Sequence, residues 1–273
     1  MSPDSSSSTV ALPSVGVVPA ERARPDMRLL GLLALGHMVI DINQGSLPAI
    51  LPIVKDALNL SYAATGVIVL TANITSSMIQ PLFGYLADKT ARRWLLPLSV
   101  LLSSVGLAFT GLAPSYAAVL ALVMVTGFGV AAYHPEGYRT ATAVAGERKA
   151  TGVSIFSTGG NVGIALGPPL MTALLIGFGP AGSLGMLVPG LLVAGLLVAV
   201  LPRLSAPPPA AARARANASG ARTMVGAMSL LILVVAIRSW TQLGFTTFMP
   251  FYWEDSVHAE TRINSGPQRF CPA

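Results

Sequence analysis

Seven stretches of about 20 residues, each nearly free of charge, follow one another along this chain, and they limit what it can fold into. They cover residues 29–53, 62–86, 94–112, 116–133, 151–176, 184–201 and 224–253. About 20 apolar residues in helical form cross roughly 30 Å of hydrocarbon, so each stretch reads as one transmembrane span. Composition agrees: 53% of residues are hydrophobic and only 10% charged, where a soluble domain carries about 25% charge. The expected fold class is therefore all-α, a polytopic transmembrane helical bundle.

The charge that remains is basic, +6 net, and its placement sets an orientation. In a soluble protein such a balance would point to nucleic acid, but here it points to loops held at an anionic membrane face, with no nucleic-acid partner. With the N-terminus inside, thirteen of the 17 basic residues fall on the cytoplasmic side, whereas the outer loops among the first six spans hold only Lys55. Residues 1–28, rich in Ser, Pro and Ala, read as a disordered cytoplasmic tail rather than a cleaved signal peptide. Residues 202–223 contain a Pro/Ala/Arg run far longer than the other connections, a flexible cytoplasmic linker between a six-helix bundle (29–201) and a seventh span (224–253). The equal spacing of Gln44 and Pro52 in the first span and Gln242 and Pro250 in the seventh is the symmetry expected of parallel repeats. The single cysteine, Cys271, allows no intrachain disulfide, and no cofactor or metal is expected.

Two motifs carry a family resemblance. Between the second and third spans stand Gly84, Asp88, Lys89, Arg92 and Arg93, with Ala91 where a glycine is usual. This resembles the cytoplasmic signature of the major facilitator superfamily: Gly84 would let helices approach, Asp88 would pair with basic groups, and the basic residues would fix topology. In the fifth span Gly159, Gly163 and Gly167 leave one helix face bare and Pro168 follows, where a kink is expected. That run resembles the first half of the antiporter signature, while Met171-Thr172 replace its second half. It reads equally as close packing or as part of coupling. Three further stretches, Gly36-His37 through Asp41-x-Asn43-Gln44, Ala132 through Gly137, and Arg238-Ser239-Trp240, are similar to the fosmidomycin resistance family of bacterial exporters. That resemblance implies twelve spans, a bacterial inner-membrane location, and efflux of a small-molecule substrate against protons.

Polar groups within the spans are the candidate machinery. A charged side chain at the centre of a span costs about 3 kcal/mol or more, so such groups are kept for a reason. His37, Asp41 and Gln44 share one face of the first span, and Asn73, Ser77 and Gln80 share one face of the second. The two stripes are expected to border a common hydrated cavity, with Asp41 as a proton carrier or, alternatively, a structural hydrogen-bond partner. Asn43 and Asn161 complete the polar lining. Pro135 is expected to interrupt the fourth span near His134 and Glu136, leaving Glu136 in a solvated contact with Arg139. An acid/base pair of an intramembrane enzyme is the weaker reading of these two residues, because no nucleophile motif accompanies them. Arg238 needs an anionic partner, for which Asp41 or a substrate phosphonate or carboxylate would serve.

After residue 253 hydrophobicity collapses, and residues 254–273 read as out of frame with the family pattern. The expectation is a transporter broken after its seventh span, inactive unless it pairs with a second half-transporter chain. The alternatives are a non-transporting remnant or a partner subunit.

Overall fold

The structure, a computed structural model, describes residues 25–89, 92–204 and 225–252. Helices α1 (Met27–Ala57), α2 (Tyr62–Lys89), α3 (Leu95–Thr110), α4 (Tyr116–Val144), α5 (Lys149–Phe178) and α6 (Leu187–Val200) form one unit. A 3-10 segment, Gly179–Met186, joins α5 to α6. Helix α7 (Val225–Tyr252) belongs to a second unit, Ala212–Ala273. No strand occurs among the described residues. The all-α reading holds.

Polar residues set the helix ends. Asp26 precedes α1 and accepts hydrogen bonds from the amides of Arg28 and Leu29 at 3.0 and 3.1 Å, so the helix begins at Met27, inside the stretch expected to be tail. Ser115 caps α4 in the same manner through the Ala118 amide. At the other end of α1, Asn59 turns the chain with φ 52°, and Gly179 ends α5 with φ 61°.

By length and composition, three stretches among the described residues are long and apolar enough to cross a membrane: Tyr62–Ala87, Tyr116–Val144 and Lys149–Arg203. The last joins α5 and α6. Helix α3 and the apolar centre of α7, Met228–Thr241, are shorter. Helix α1, although 31 residues long, falls outside this set. Its centre holds His37, Asp41, Asn43 and Gln44, which lower its hydropathy. A helix of that kind is tolerated in a membrane where neighbouring helices enclose its polar groups.

That is the place α1 occupies. It packs most extensively on α5 and also touches α3, α4 and α6. Two apolar clusters flank its polar centre. One gathers Leu30, Leu33, Ile40, Leu96, Val100, Tyr133 and Phe156. The other gathers Ile50, Leu51, Ile68, Leu107, Val123, Met171 and Met186. Between them lie buried polar residues held across helices: Asn43 donates to Ser104 Oγ (2.9 Å), and Ser46 donates to the Gly167 carbonyl (2.8 Å). Hydroxyls elsewhere turn back on their own helix, as Thr71, Thr75 and Thr110 do toward the carbonyl four residues earlier. With no water to bond, each hydroxyl takes the nearest free lone pair.

Candidate functional site

Helix α1 presents His37 and Asp41 one turn apart on its buried side, with relative exposures of only 4% and 7%. Their ion-pair contact, His37 Nε2 to Asp41 Oδ2, is 3.3 Å. From α4, His134 approaches the other carboxylate oxygen, with Nε2 3.5 Å from Asp41 Oδ1. The two imidazoles meet edge to face at 4.8 Å between centroids. The floor of the cluster is α5. A Cβ at Gly160 would stand 2.5 Å from Asp41 Oδ2 and 2.6 Å from His37 Cε1, and one at Gly163 would press on Asp41 Cβ at 3.0 Å. Bare backbone at both positions is what lets α5 close over the carboxylate.

The second nitrogen of each imidazole fixes the chemistry. His37 Nδ1 lies 2.8 Å from the Phe156 carbonyl, and His134 Nδ1 lies 2.8 Å from the Val130 carbonyl. A carbonyl only accepts, so both Nδ1 atoms carry hydrogen and donate. In the neutral imidazoles both Nε2 atoms then turn lone pairs toward an acceptor carboxylate. Three acceptors with no hydrogen between them repel, and His37 Nε2 and Asp41 Oδ1 are buried without a hydrogen-bond partner. One cation among them, a proton or a metal ion, relieves that arrangement. His37, Asp41 and His134 also have ligand atoms within 4.8 Å of one another, the one group of this kind among the described residues.

Two of the motif stretches therefore meet in space. Gly36 makes room for Tyr133, since a Cβ there would overlap the phenol, and the Tyr133 hydroxyl donates to the Leu33 carbonyl at 2.8 Å. Phe156 was not singled out in the sequence, yet it stacks on His37 at 4.1 Å and supplies the carbonyl that fixes its tautomer. Its only sequence signal was position, one turn ahead of the Gly159-Gly160 pair. Gly160, also missed, is the one of that pair that touches the cluster.

Several expectations require correction. Helix α4 runs unbroken through Pro135, because the apolar surroundings offer its backbone no partner better than the helix. Glu136 is not solvated: it is fully buried, and Arg139 on the same helix closes over it in a bidentate ion pair. Among the described residues, no hydrogen bond or ion pair joins the polar stripe of α2 to Asp41. Asn73 and Ser77 are exposed, Gln80 is half-buried, and the Asn73 amide turns back to the Val69 carbonyl. Helix α2 packs chiefly on α4 and only slightly on α1.

The other candidates fall in separate places. Asn43 is buried in its bond to Ser104, Gln44 is half-buried, and Asn161 is exposed on α5. Gly159, Gly163 and Gly167 all face α1, where added Cβ atoms would collide with the carbonyls of Ala34, Met38 and Ile42. Helix α5 continues through Pro168 and Pro169. At Gly84 there is room for a side chain, since a Cβ would meet only Pro135, at 3.9 Å, so close approach does not demand glycine there. Arg93 reaches the Leu201 carbonyl at 3.4 Å and Arg92 is exposed. Asp88 and Lys89 close α2, and their side chains lie outside the described residues, as do Gln242 and Pro250. Arg238 is exposed on α7. Residues 1–24, most of the linker, and residues 253–273 also lie outside the description.

The chain is 35% identical over 158 residues to the fosmidomycin resistance protein of Escherichia coli (strain K12), covering 58% of this chain and 39% of that one. It is 34% identical over 155 residues to the uncharacterized MFS-type transporter YfnC of Bacillus subtilis (strain 168), covering 57% and 38% respectively. The chain thus spans about two fifths of the length of these relatives. The profile of the Major Facilitator Superfamily matches residues 33–266. With most of its length matched and its apolar helices bundled around α1, this chain is a multi-pass membrane protein, a transporter-type chain rather than an enzyme, and it belongs to the Major Facilitator Superfamily.

Proposed function

We propose that this chain provides the N-terminal bundle of a proton-coupled exporter of small molecules in a bacterial inner membrane. The observation that carries this reading is Asp41, a carboxylate buried among membrane helices whose ion-pair partners among the described residues are two histidines rather than a lysine or arginine. A permanently cationic partner would fix the charge of the carboxylate, whereas histidines can gain and lose protons with it. The relative named for fosmidomycin resistance supports a phosphonate drug as the first substrate to try. Each half of such a transporter forms one wall of the substrate path. The test is therefore co-production of this chain with the C-terminal half of a relative, followed by reconstitution into vesicles. An imposed pH gradient should drive fosmidomycin movement, and movement indifferent to the gradient would overturn the proton-coupled reading.

The proposal includes orientation, N-terminus inside, drawn from the basic bias of the loops. Reporter fusions in the linker at residue 215 should be active in the cytoplasm. Fusions after residue 253 should be active on the outer side. The reverse pattern would show that the basic residues do not govern this topology.

A further inference from the structure

We infer that His37, Asp41 and His134 form a binding site for one divalent transition-metal ion of the zinc class. The inference stands on the geometry of these three side chains and not on the exporter reading. Zinc held by imidazole nitrogen and carboxylate oxygen with bonds of about 2.1 Å in tetrahedral array keeps its ligand atoms about 3.4 Å apart. In this unit each oxygen of the Asp41 carboxylate stands near that separation from one imidazole, Oδ2 at 3.3 Å from His37 Nε2 and Oδ1 at 3.5 Å from His134 Nε2. All the ligand atoms fall within 4.8 Å, so a small closing movement of side chains brings three donors onto one ion.

The surroundings match those of a built metal site. A ligating histidine ordinarily donates its second ring N–H to a carbonyl or carboxylate, which fixes the tautomer and aims the free lone pair. Both histidines do this, through Nδ1 to the Phe156 and Val130 carbonyls at 2.8 Å. Phe156 further locks the His37 ring by stacking on it at 4.1 Å. His37 Nε2 and Asp41 Oδ1 are buried and lack hydrogen-bond partners, and both belong to groups that face the cluster. His134, the member still partly exposed, marks the side from which an ion and a completing water would enter. A mixed set of two nitrogens and one carboxylate oxygen favours zinc, cobalt or nickel over magnesium or calcium, which prefer all-oxygen shells.

The experiment uses the full chain, purified in detergent without a polyhistidine tag, and titrated calorimetrically with zinc chloride. One saturating equivalent is expected. Cobalt chloride should give the visible absorption bands of a four- or five-coordinate ion. X-ray absorption of the zinc-loaded chain should show a nitrogen/oxygen shell with two imidazoles and no sulfur. The variants His37→Ala and His134→Gln should each weaken binding by at least about tenfold, no less than loss of an outer-shell partner costs. Substitution of the third histidine of the chain, His258→Ala, and of the single cysteine, Cys271→Ser, should leave it unchanged. The X-ray measurement needs no variant, so it decides the matter even where a substitution prevents folding. No saturable binding, a shell with sulfur or fewer than two imidazoles, or full affinity in folded His37→Ala and His134→Gln chains would overturn the site. Failure of transport would not touch it.

Discussion

Replacing Asp41 by asparagine should reduce pH-gradient-driven export to the level of vesicles without protein, while leaving the protein folded. The physical reason lies in the acceptor arrangement around the carboxylate. His37 and His134 both point Nε2 at it, with each Nδ1 bound to a carbonyl. An asparagine amide has the same shape and can donate a hydrogen to one of these nitrogens, so the packing survives. What it cannot do is take up and release a proton. Counterflow, in which labelled substrate exchanges without a gradient, should persist in the variant, because it requires alternating access but no net proton movement. If Asp41→Asn drives uphill export at the normal rate, Asp41 is a structural partner and the coupling group lies elsewhere.

A second large effect is expected at the contact between α1 and α5. Gly163→Val should lower the stability of the purified chain by about 1–3 kcal/mol, the usual cost of inserting carbon into a packed interface, and more if the helices must separate. The neighbours of an added Cβ there are the Met38 carbonyl, Asp41 Cβ at 3.0 Å and the Ile42 amide nitrogen at 3.0 Å. Most of that is backbone, which cannot swing aside as a side-chain tip can. Gly177, on the same helix, is the control. Nothing lies within 4 Å of a Cβ there, and alanine is favoured over glycine in a helix by up to about 1 kcal/mol. Gly177→Ala should therefore unfold at the same temperature or slightly higher. Thermal unfolding in detergent, followed by circular dichroism, compares the two. Equal stability of Gly163→Val and the unaltered chain would show that α5 does not rely on a bare face against α1.

The chain alone determined its helices and its solvent. Long apolar runs interrupted by short polar turns leave a backbone in hydrocarbon no option but to bond within its own helix, so the helices among the described residues and their order were readable from residue types. The spacing of Gly159, Gly163 and Gly167 told which face of α5 is bare, because helical periodicity is a local property. Periodicity does not tell which way a face points. The stripe of Asn73, Ser77 and Gln80 was readable as a stripe, but only the packing of α2, chiefly on α4, left Asn73 and Ser77 exposed. The contact of Glu136 with Arg139 was readable from their spacing, but only the enclosing helices decided that Glu136 is fully buried in it, with Arg139 part-buried. The candidate centre was decided in the same way. His37 and Asp41 are a helical turn apart and could be paired from sequence, whereas His134, Phe156 and Gly160 come from helices far along the chain. Which of their atoms face one another depends on how α1, α4 and α5 are rotated against each other, a property that tertiary packing alone sets.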